Sequence, residues 1–511
     1  MLREIKTDIK DMYYKYKNIA IFTFFISICV YADMFINTIP NPDNYFFNEY
    51  FIAGNWEISL GRFVTRYIDK LTYGMNASIM ISIIAIVIFI LNAIVVCRIF
   101  EINNNFIAGI VSILIMLSPK TSSLLMYYFA SETNAIGMLL CSLAIYLYKL
   151  NKRNFIISIL CIVLSLGIYQ ASIAQLAFLS LGLILVFVMS HEDDLYKKIC
   201  WLVLIDVIGI IFYYVVMKVI LKINNLELAD YRGTGNVSIS NMLIHLPNSI
   251  IRTYKDFFDY FFGRNILANA FSIIKWNYIF FCISLFSIII ILNSLRLIRE
   301  KVLFILGLLV IPILCGSMII VNPDGYIDVR TTDGYMFIIP LFIKFIFEAG
   351  NYIPINKIKK YIIPVICIIG TIISFKYLLS TNANCFTLKY SNRQVTNLGL
   401  RIVKDIEDNY PKEYKLNIIG APKDGNYPIP EYLLDTVDPY AKQGVIWGGV
   451  HPGLWRNLLH LRLGVDIVCD SDYDAENFVK SDVFKNAPLY PNKGSIINID
   501  DSIYVKVSEV E

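Results

Sequence analysis

Eleven apolar runs limit what this chain can fold into more than any other feature. Crossing a bilayer takes a helix of about 20 apolar residues, at about 1.5 Å per residue. The runs therefore predict a polytopic α-helical membrane protein with about eleven transmembrane helices. They cover residues 19–37, 77–97, 105–118, 123–148, 155–169, 171–190, 200–221, 273–294, 302–321, 335–349 and 361–380. Composition agrees, because 57% of the 511 residues are hydrophobic and 17% are charged, whereas soluble domains have about 45–50% and about 25%.

Basic residues predict the orientation of these helices. Lys and Arg lie before the first run, after the fourth and the sixth, between the eighth and the ninth, and before the last. If every run crosses, all these positions face one side, and cytoplasmic loops are the basic ones. We therefore expect a cytoplasmic N-terminus and an extracytoplasmic C-terminus. The basic excess, +8 over residues 1–380, predicts membrane orientation and no nucleic-acid partner.

Residues 381–511 differ from the rest and predict a second domain. They carry a net charge of −4 and show strand-like alternation at 416–419, 495–499 and 502–507. The expected organisation is a transmembrane domain, 1–380, followed by a small soluble extracytoplasmic α/β domain, 381–511. Cys385 and Cys469 are the two cysteines of this tail. An oxidising compartment would allow them to pair, which the sequence leaves open.

The first outer loop, residues 38–76, combines many aromatic residues with charges, and residues 250–276 repeat the pattern. Such stretches are too apolar for a solvent loop and too charged for a span, which is typical of helices that lie in the membrane interface. Two such loops on the outer face would suit a lipid-linked substrate. The alternative is that they are packing collars around the bundle.

Two carboxylates near the outer ends of helices are the candidate catalytic groups, because ionisable side chains at membrane depth are costly and often functional. Asp43 follows the first run in an Asn-Pro-Asp sequence. It could be a general base for a sugar hydroxyl or the N-cap of a following helix. Glu132 lies within the fourth run. It could bind a sugar hydroxyl or, with Asp43, a metal, and a helix–helix hydrogen bond is the alternative.

Five further residues are candidates for substrate binding. Arg62, Arg232 and Arg330 suit a phosphate, because a guanidinium group can bind it in bidentate fashion. Interfacial anchoring is the alternative for each arginine. Tyr169 and Gln170 lie at the turn between the fifth and sixth runs and suit sugar hydroxyls, with a role in the turn itself as the alternative.

Signatures of soluble enzymes are missing. The sequence holds no Walker A loop, no GxGxxG after a strand, no HExxH and no CxxC pair. It therefore gives no support to an ATP-driven pump, a soluble nucleotide-sugar enzyme or a zinc site. Asp470, Asp472 and Asp474 resemble a metal-binding DxD motif, but no nucleotide motif accompanies them, and we expect an acidic loop there.

Three motifs, in chain order, resemble the bacterial and phage glucosyl transferases that modify O-antigen. Residues 56–63, which follow the Asn-Pro-Asp sequence, resemble the first outer loop of that family. Residues 164–171 look like its central Tyr-Gln motif, and residues 490–496 are similar to its C-terminal ending. The resemblance implies a GT-C type enzyme of the bacterial cytoplasmic membrane. Such an enzyme moves a hexose, here expected to be glucose, from a polyprenyl phosphate to a surface glycan such as O-antigen or a wall polysaccharide.

Residue roles follow from the same resemblance. It implies that Asp43 is the catalytic base, that Arg62 is a structural or phosphate-side residue, and that Glu132 stands where the family often has an acidic residue. A single displacement implies inversion at the anomeric carbon. One Asp stands at 43 where relatives have an adjacent acidic pair, so no cofactor is identified and a divalent metal is left open. The implied partners are the lipid-linked donor, the glycan acceptor, the bilayer, and a donor synthase and flippase.

Other functions are weighed against this one. A transporter or flippase of a lipid-linked sugar is the main alternative, although transporters usually show internal repeats and none is evident in the sequence. A glycan polymerase or ligase, and a scaffold that binds wall glycan, are further alternatives. An outer carboxylate together with arginines favours chemistry over transport, since a transporter would place its charges along a central path.

Overall fold

The computed structural model describes residues 2–39, 41–47, 50–75, 78–231, 239–262, 274–323, 333–353, 356–410, 414–422, 437, 439–442 and 444–510. These residues are mostly helical. The first seventeen helices are α1 (Leu2–Ile36), α2 (Pro42–Phe46), α3 (Asn55–Ser59), α4 (Thr65–Asp69), α5 (Ser78–Ile99), α6 (Asn105–Leu117), α7 (Pro119–Leu125), α8 (Ser131–Leu150), α9 (Phe155–Leu166), α10 (Ser172–Met189), α11 (Leu195–Ile223), α12 (Ile239–Phe262), α13 (Ile274–Ser294), α14 (Ile298–Cys315), α15 (Ser317–Val321), α16 (Tyr335–Tyr352) and α17 (Asn356–Asn409).

Every predicted apolar run falls mainly on one of these helices or on two consecutive ones. Among the described residues, six helices are long and apolar enough to cross a membrane: α1, α5, α8, α10, α11 and α17. A seventh span results if α6 and α7, which are bent by 49° at a short break, form one. The membrane-embedded character is thus supported, while the count of eleven spans stays a prediction. Helices such as α9, with 12 residues, are too short to span by length alone.

The helical bundle has two ends with different charged groups. Asp8 near the start of α1, Arg98 at the end of α5 and Lys149 at the end of α8 lie at one end, the basic end. The end of α1 and the start of α8 lie at the opposite end, the cavity end. The segment predicted to be the first outer loop contains the short helices α2, α3 and α4, and their location in the membrane interface stays a prediction.

The C-terminal region, residues 414–510, contains a three-stranded sheet. Its strands are β1 (Lys415–Ile419), β2 (Ile496–Ile499) and β3 (Ser502–Lys506), and its helices are α18 (Pro439–Lys442), α19 (Pro452–Leu463), α20 (Asp472–Val479) and α21 (Asp482–Asn486). The central strand β3 pairs in parallel with β1 and antiparallel with β2. All three strands lie where the alternation of the sequence places them.

Helix α17 crosses the boundary predicted at residue 380 without a break. The last apolar run and residues 381–409 of the tail therefore form a single helix that joins the bundle to the C-terminal region. Cys385 is buried on this helix, Cys469 lies in the loop before α20, and both are free thiols.

Candidate active site

A cavity of about 170 Å³ lies at the cavity end. Three of the predicted site residues, Asp43, Arg62 and Tyr169, line it together. They come from α2, from the turn after α3 and from the turn between α9 and α10, so only the tertiary fold brings them to one place. Aromatic side chains form much of the rest of the wall: Phe47, Phe51, Trp56, Tyr127, Phe129 and Tyr231. The site therefore combines a carboxylate, a guanidinium group and aromatic surfaces.

The helix that carries Asp43 is built by its own local sequence. Asn41 is its N-cap and accepts a hydrogen bond from the Asn44 backbone N–H at 3.0 Å, and Pro42 occupies the first turn. Both residues are typical of these positions. Asp43 is thus inside the helix rather than its cap, which removes the structural alternative considered for it. A carboxylate in the first turn also interacts favourably with the helix dipole.

Two amides attach this helix to the segment before α8. The side chains of Asn41 and Asn44 both donate to the Met126 carbonyl, at 3.0 and 2.8 Å. In return, the Tyr128 backbone N–H donates to the Asn44 side chain at 3.1 Å. Asp43 lies between these two asparagines, so its backbone is fixed on both sides.

Arg62 is presented by a turn that requires glycine. Gly61 has φ +83°, and a Cβ there would lie 2.6 Å from the Tyr213 hydroxyl and 2.8 Å from the Gln170 amide nitrogen. Gln170 donates to the Leu60 carbonyl at 2.7 Å and to the Tyr213 hydroxyl at 2.9 Å. Gln170 therefore holds the turn from behind and is not among the residues that line the cavity. The Gln170 side chain thus supports the turn at Gly61 rather than the turn between α9 and α10 that was the alternative considered for it, whereas Tyr169 faces the cavity.

The Arg62 side chain lies against an aromatic ring. Its Cζ is 5.0 Å from the centroid of Tyr169, a distance typical of a cation–π contact. Its Nε is buried and, among the described residues, has no hydrogen-bond partner. An orphaned buried donor is costly, and an anionic oxygen in the cavity would satisfy it.

Lys120 is a second cation at the same ring, and the sequence reasoning missed it. Its Nζ is 5.6 Å from the Tyr169 centroid and forms an ion pair with Asp333. The two side chains are 3% and 1% exposed. The signal was present in the sequence, because Lys120 interrupts an apolar stretch between two predicted spans. An ionisable residue at that depth is a functional candidate by default.

Two buried carboxylates lie near the cavity. Asp69 accepts hydrogen bonds from the Ala53 backbone N–H at 2.8 Å and from the Thr133 hydroxyl at 3.2 Å. Burial raises the pKa of Asp69 to about 7. Glu132 is 3% exposed, and one of its carboxylate oxygens has no hydrogen-bond partner among the described residues. Glu132 is not among the residues that line the cavity, although Thr133 is.

Glu57 is the carboxylate in the cavity wall that the sequence reasoning did not single out. Its Oε2 accepts a hydrogen bond from the Gly54 backbone N–H at 2.6 Å at the start of α3. The spacing of a cap residue and a Glu three positions later is the usual signal for such an arrangement. One carboxylate oxygen of Glu57 therefore stabilises the start of α3.

Other candidates lie elsewhere. Arg232 and Arg330 fall outside the described residues. Asp470 accepts hydrogen bonds from the side chains of Asn417 and Tyr504, both at 2.7 Å, so the Asp470 loop has a structural role in the C-terminal region. In the described parts of the chain, no group of three His, Cys, Asp or Glu side chains could hold a metal ion.

A family model described as Glucosyl transferase GtrII matches residues 33–341. The chain belongs to this family. The match includes all the residues named above as lining the cavity and stops before α17. Comparison with curated proteins and with solved structures gives no significant match. Membership of the GtrII glucosyl transferases indicates a glycosyltransferase that acts on a sugar donor and a glycan acceptor, and it agrees with the resemblance found in the sequence.

Proposed function

We propose that this GtrII-family chain transfers glucose from a polyprenyl-phosphate donor to a surface glycan, on the outer side of the bacterial cytoplasmic membrane. The observation that carries the proposal is that Asp43, Arg62 and Tyr169 line one cavity at the end of the bundle opposite the basic end. Basic helix ends face the cytoplasm. The cavity then faces outwards, and the N-terminus is cytoplasmic.

Asp43 is the proposed general base. The acceptor hydroxyl oxygen attacks the anomeric carbon of the donor while its proton passes to the Asp43 carboxylate. The bond from the anomeric carbon to the phosphate oxygen breaks, and its electron pair leaves with polyprenyl phosphate. One displacement of this kind inverts the anomeric centre. General base catalysis of this type contributes about 10²–10⁴ in rate.

Arg62 is the proposed partner of the donor phosphate. Its position on the Tyr169 ring keeps the guanidinium group in place, and its unsatisfied Nε donor is available to a phosphate oxygen. A fixed cation at the leaving group stabilises the negative charge that develops there. Glu132 is kept as the second candidate carboxylate, and Arg232 and Arg330 as further candidates for the phosphate.

Exposed aromatic residues in the first outer loop, which forms part of the cavity wall, support a lipid-linked donor. Tyr50, Trp56, Tyr67 and Tyr73 of the first outer loop are each at least half exposed. Exposed aromatic residues of this kind are typical of the membrane–water interface. A donor whose prenyl chain lies in the bilayer would reach the cavity along this surface with its phosphate and sugar at the level of Arg62.

Sugar transfer from radiolabelled polyprenyl-phosphate-glucose, in membranes with wild-type or variant protein, tests the proposal. We expect Asp43→Asn to lower transfer about 10²–10⁴-fold. Asp33→Asn is the matched control, since Asp33 lies ten residues earlier, outside the cavity, in an ion pair with Lys389 at 2.6 Å. It should keep transfer close to wild type.

The outcomes separate the parts of the proposal. Equal transfer by wild type and a folded Asp43→Asn variant would exclude Asp43 as the base and shift the role to Glu132. No transfer by wild type from this donor, but transfer from another labelled lipid-linked sugar, would correct the sugar. Movement of the labelled lipid across the membrane without transfer would favour the transporter alternative.

A further inference from the structure

The C-terminal region contacts the helix that carries Asp43. Asn457 on α19 donates from its side-chain amide to the Tyr45 carbonyl at 2.9 Å and to the Phe46 carbonyl at 3.3 Å. Both carbonyls belong to the last turn of α2, where helix geometry leaves them without intrahelical partners. Asn457 therefore acts as a C-terminal cap for α2 that is supplied from more than 400 residues further along the chain.

Arg462, in the last turn of α19, holds the same helix from a second direction. Its Nε donates to the Tyr45 hydroxyl at 2.7 Å, and its Nη2 donates to the Thr38 carbonyl at 2.9 Å. The Tyr45 hydroxyl in turn donates to the Asn392 side chain of α17 at 2.6 Å. Tyr45 is 2% exposed, whereas the Arg462 contact with its hydroxyl is partly buried and the contact with the Thr38 carbonyl is exposed. Hydrogen bonds from a charged donor are of the stronger kind.

Helix α2 has five residues, and a helix of that length is unstable unless tertiary contacts hold it. The bundle fixes its N-terminal half through Asn41 and Asn44, as described above. The C-terminal region fixes its other half through Asn457 and Arg462. Asp43 lies between Asn41 and Asn44, in the half that the bundle fixes, and Tyr45 and Phe46 follow it in the same short helix.

We propose that Asn457 and Arg462 are positioning residues for Asp43, so that the C-terminal region is part of the catalytic apparatus rather than an appended domain. The proposal rests on the assignment of Asp43 as the base. It goes beyond the family match, which ends at residue 341 and does not include α19.

The contacts of Asn457 and Arg462 with α2 are called the clamp below. Hydrogen–deuterium exchange of the full-length protein in detergent tests the clamp without any substrate. Arg462→Ala and Asn457→Ala should speed exchange of the amides of residues 41–47 by about tenfold each, as expected when a strong hydrogen bond is lost. Exchange in β1, residues 415–419, should stay unchanged and shows that the region is folded. His460→Ala is the matched control, because His460 is exposed on the same helix and contacts Asp466 instead.

Transfer kinetics test the positioning role. We expect Arg462→Ala to lower kcat about tenfold, with the KM for polyprenyl-phosphate-glucose changed less than about threefold. Arg462→Lys should recover part of kcat, because lysine keeps one charged donor. A merely structural role would lower the amount of folded protein and leave kcat per folded molecule unchanged.

Two results would overturn the proposal. One is unchanged exchange of residues 41–47 in the Arg462→Ala/Asn457→Ala double variant. The other is faster exchange there with wild-type kcat, which would separate the clamp from catalysis. If wild type shows no transfer from this donor, the proposed function fails instead, and the exchange data still decide whether the clamp exists.

Discussion

Three ionisable side chains in or near the cavity differ from the paired charges at the basic end of the helical bundle. At the basic end, Arg98 pairs with Asp8 at 2.7 Å and Lys149 pairs with Glu101 at 3.0 Å. At the cavity end, Arg62 lies on an aromatic ring, and Asp69 and Glu57 accept hydrogen bonds from neutral donors. Among the described residues, none of these three has an oppositely charged side chain within ion-pair distance.

This difference separates charges that maintain the fold from charges that are available to a substrate. A charge that is already paired gains little from a ligand, whereas a partly buried charge without a counterion gains a great deal. The basic end is therefore suited to stability and orientation. The cavity end also holds an ion pair, Lys120–Asp333, but Arg62, Asp69 and Glu57 there are in a state that a phosphate and a sugar hydroxyl would complete.

The Lys120–Asp333 pair gives the largest expected effect, because it is a buried ion pair beside the cavity rather than at the basic end. Lys120→Met removes a cationic partner of the buried Asp333 carboxylate. We expect a loss of about 3–5 kcal/mol in the free energy of unfolding, measured by denaturant unfolding in detergent. The Lys120→Met/Asp333→Leu double variant should recover much of it. Wild-type stability of the single variant would show that the pair does not hold the fold.

Arg62→Gln gives the next largest effect and acts on transfer rather than stability. Loss of one charged hydrogen bond to the donor phosphate should raise the barrier by about 1.5–3 kcal/mol, or lower kcat/KM by about 10–100-fold. Arg66→Gln is the matched control, because Arg66 donates to the Ala53 carbonyl at 2.8 Å and does not line the cavity. Equal losses in the two variants would mean that Arg62 acts only through the fold of the first outer loop.

How much of this site the sequence predicts depends on how far apart in the chain the contacting residues are. Asp43 and Tyr169 stand out because they are polar residues just after or at the ends of apolar runs, and Arg62 stands out because a guanidinium group suits a phosphate. The Asn-Pro pair before Asp43 already carries the cap signal. Lys120 was not predicted as a site residue, because the long apolar stretch was divided into two spans and Lys120 lies between them. The contacts of Asn457 and Arg462 with α2 have no local signal, since they join segments that are remote in the chain.

The difference between local and remote contacts also explains Gln170 and the fold. Side-chain chemistry alone makes Gln170 a candidate for sugar hydroxyls. In the structure its amide instead donates to the Leu60 carbonyl and supports the turn at Gly61, which is remote in the sequence. The helices follow from the length of the apolar runs and the three strands from alternation, and both are local properties of the sequence. The number of spans does not follow from it, because a run of apolar residues fixes neither where a helix ends nor how it bends.

Asp69 provides a test of the cavity end by pH. Burial raises its pKa to about 7, so between pH 4 and 7 the native state binds a proton that the unfolded chain releases. The free energy of unfolding should therefore fall as pH rises through this window, by up to about 1.4 kcal/mol per unit, and level off above it. Asp69→Asn should flatten this slope in thermal unfolding scans, and Asp466→Asn, at an exposed carboxylate, should leave it unchanged. A slope that persists in Asp69→Asn would assign it to other groups.

The smallest effect is expected at the basic end, where Lys198 pairs with Glu192 and both side chains are about one-third exposed. Exposed ion pairs contribute about 0–1 kcal/mol and are screened by salt. Lys198→Gln should therefore change the free energy of unfolding by less than about 1 kcal/mol, with the difference reduced in high salt and transfer unchanged. A loss of transfer in this variant without a loss of stability would mean that the basic end also takes part in the reaction. The division between the two ends would then have to be abandoned, because a charge already neutralised by a neighbour would be acting on the substrate.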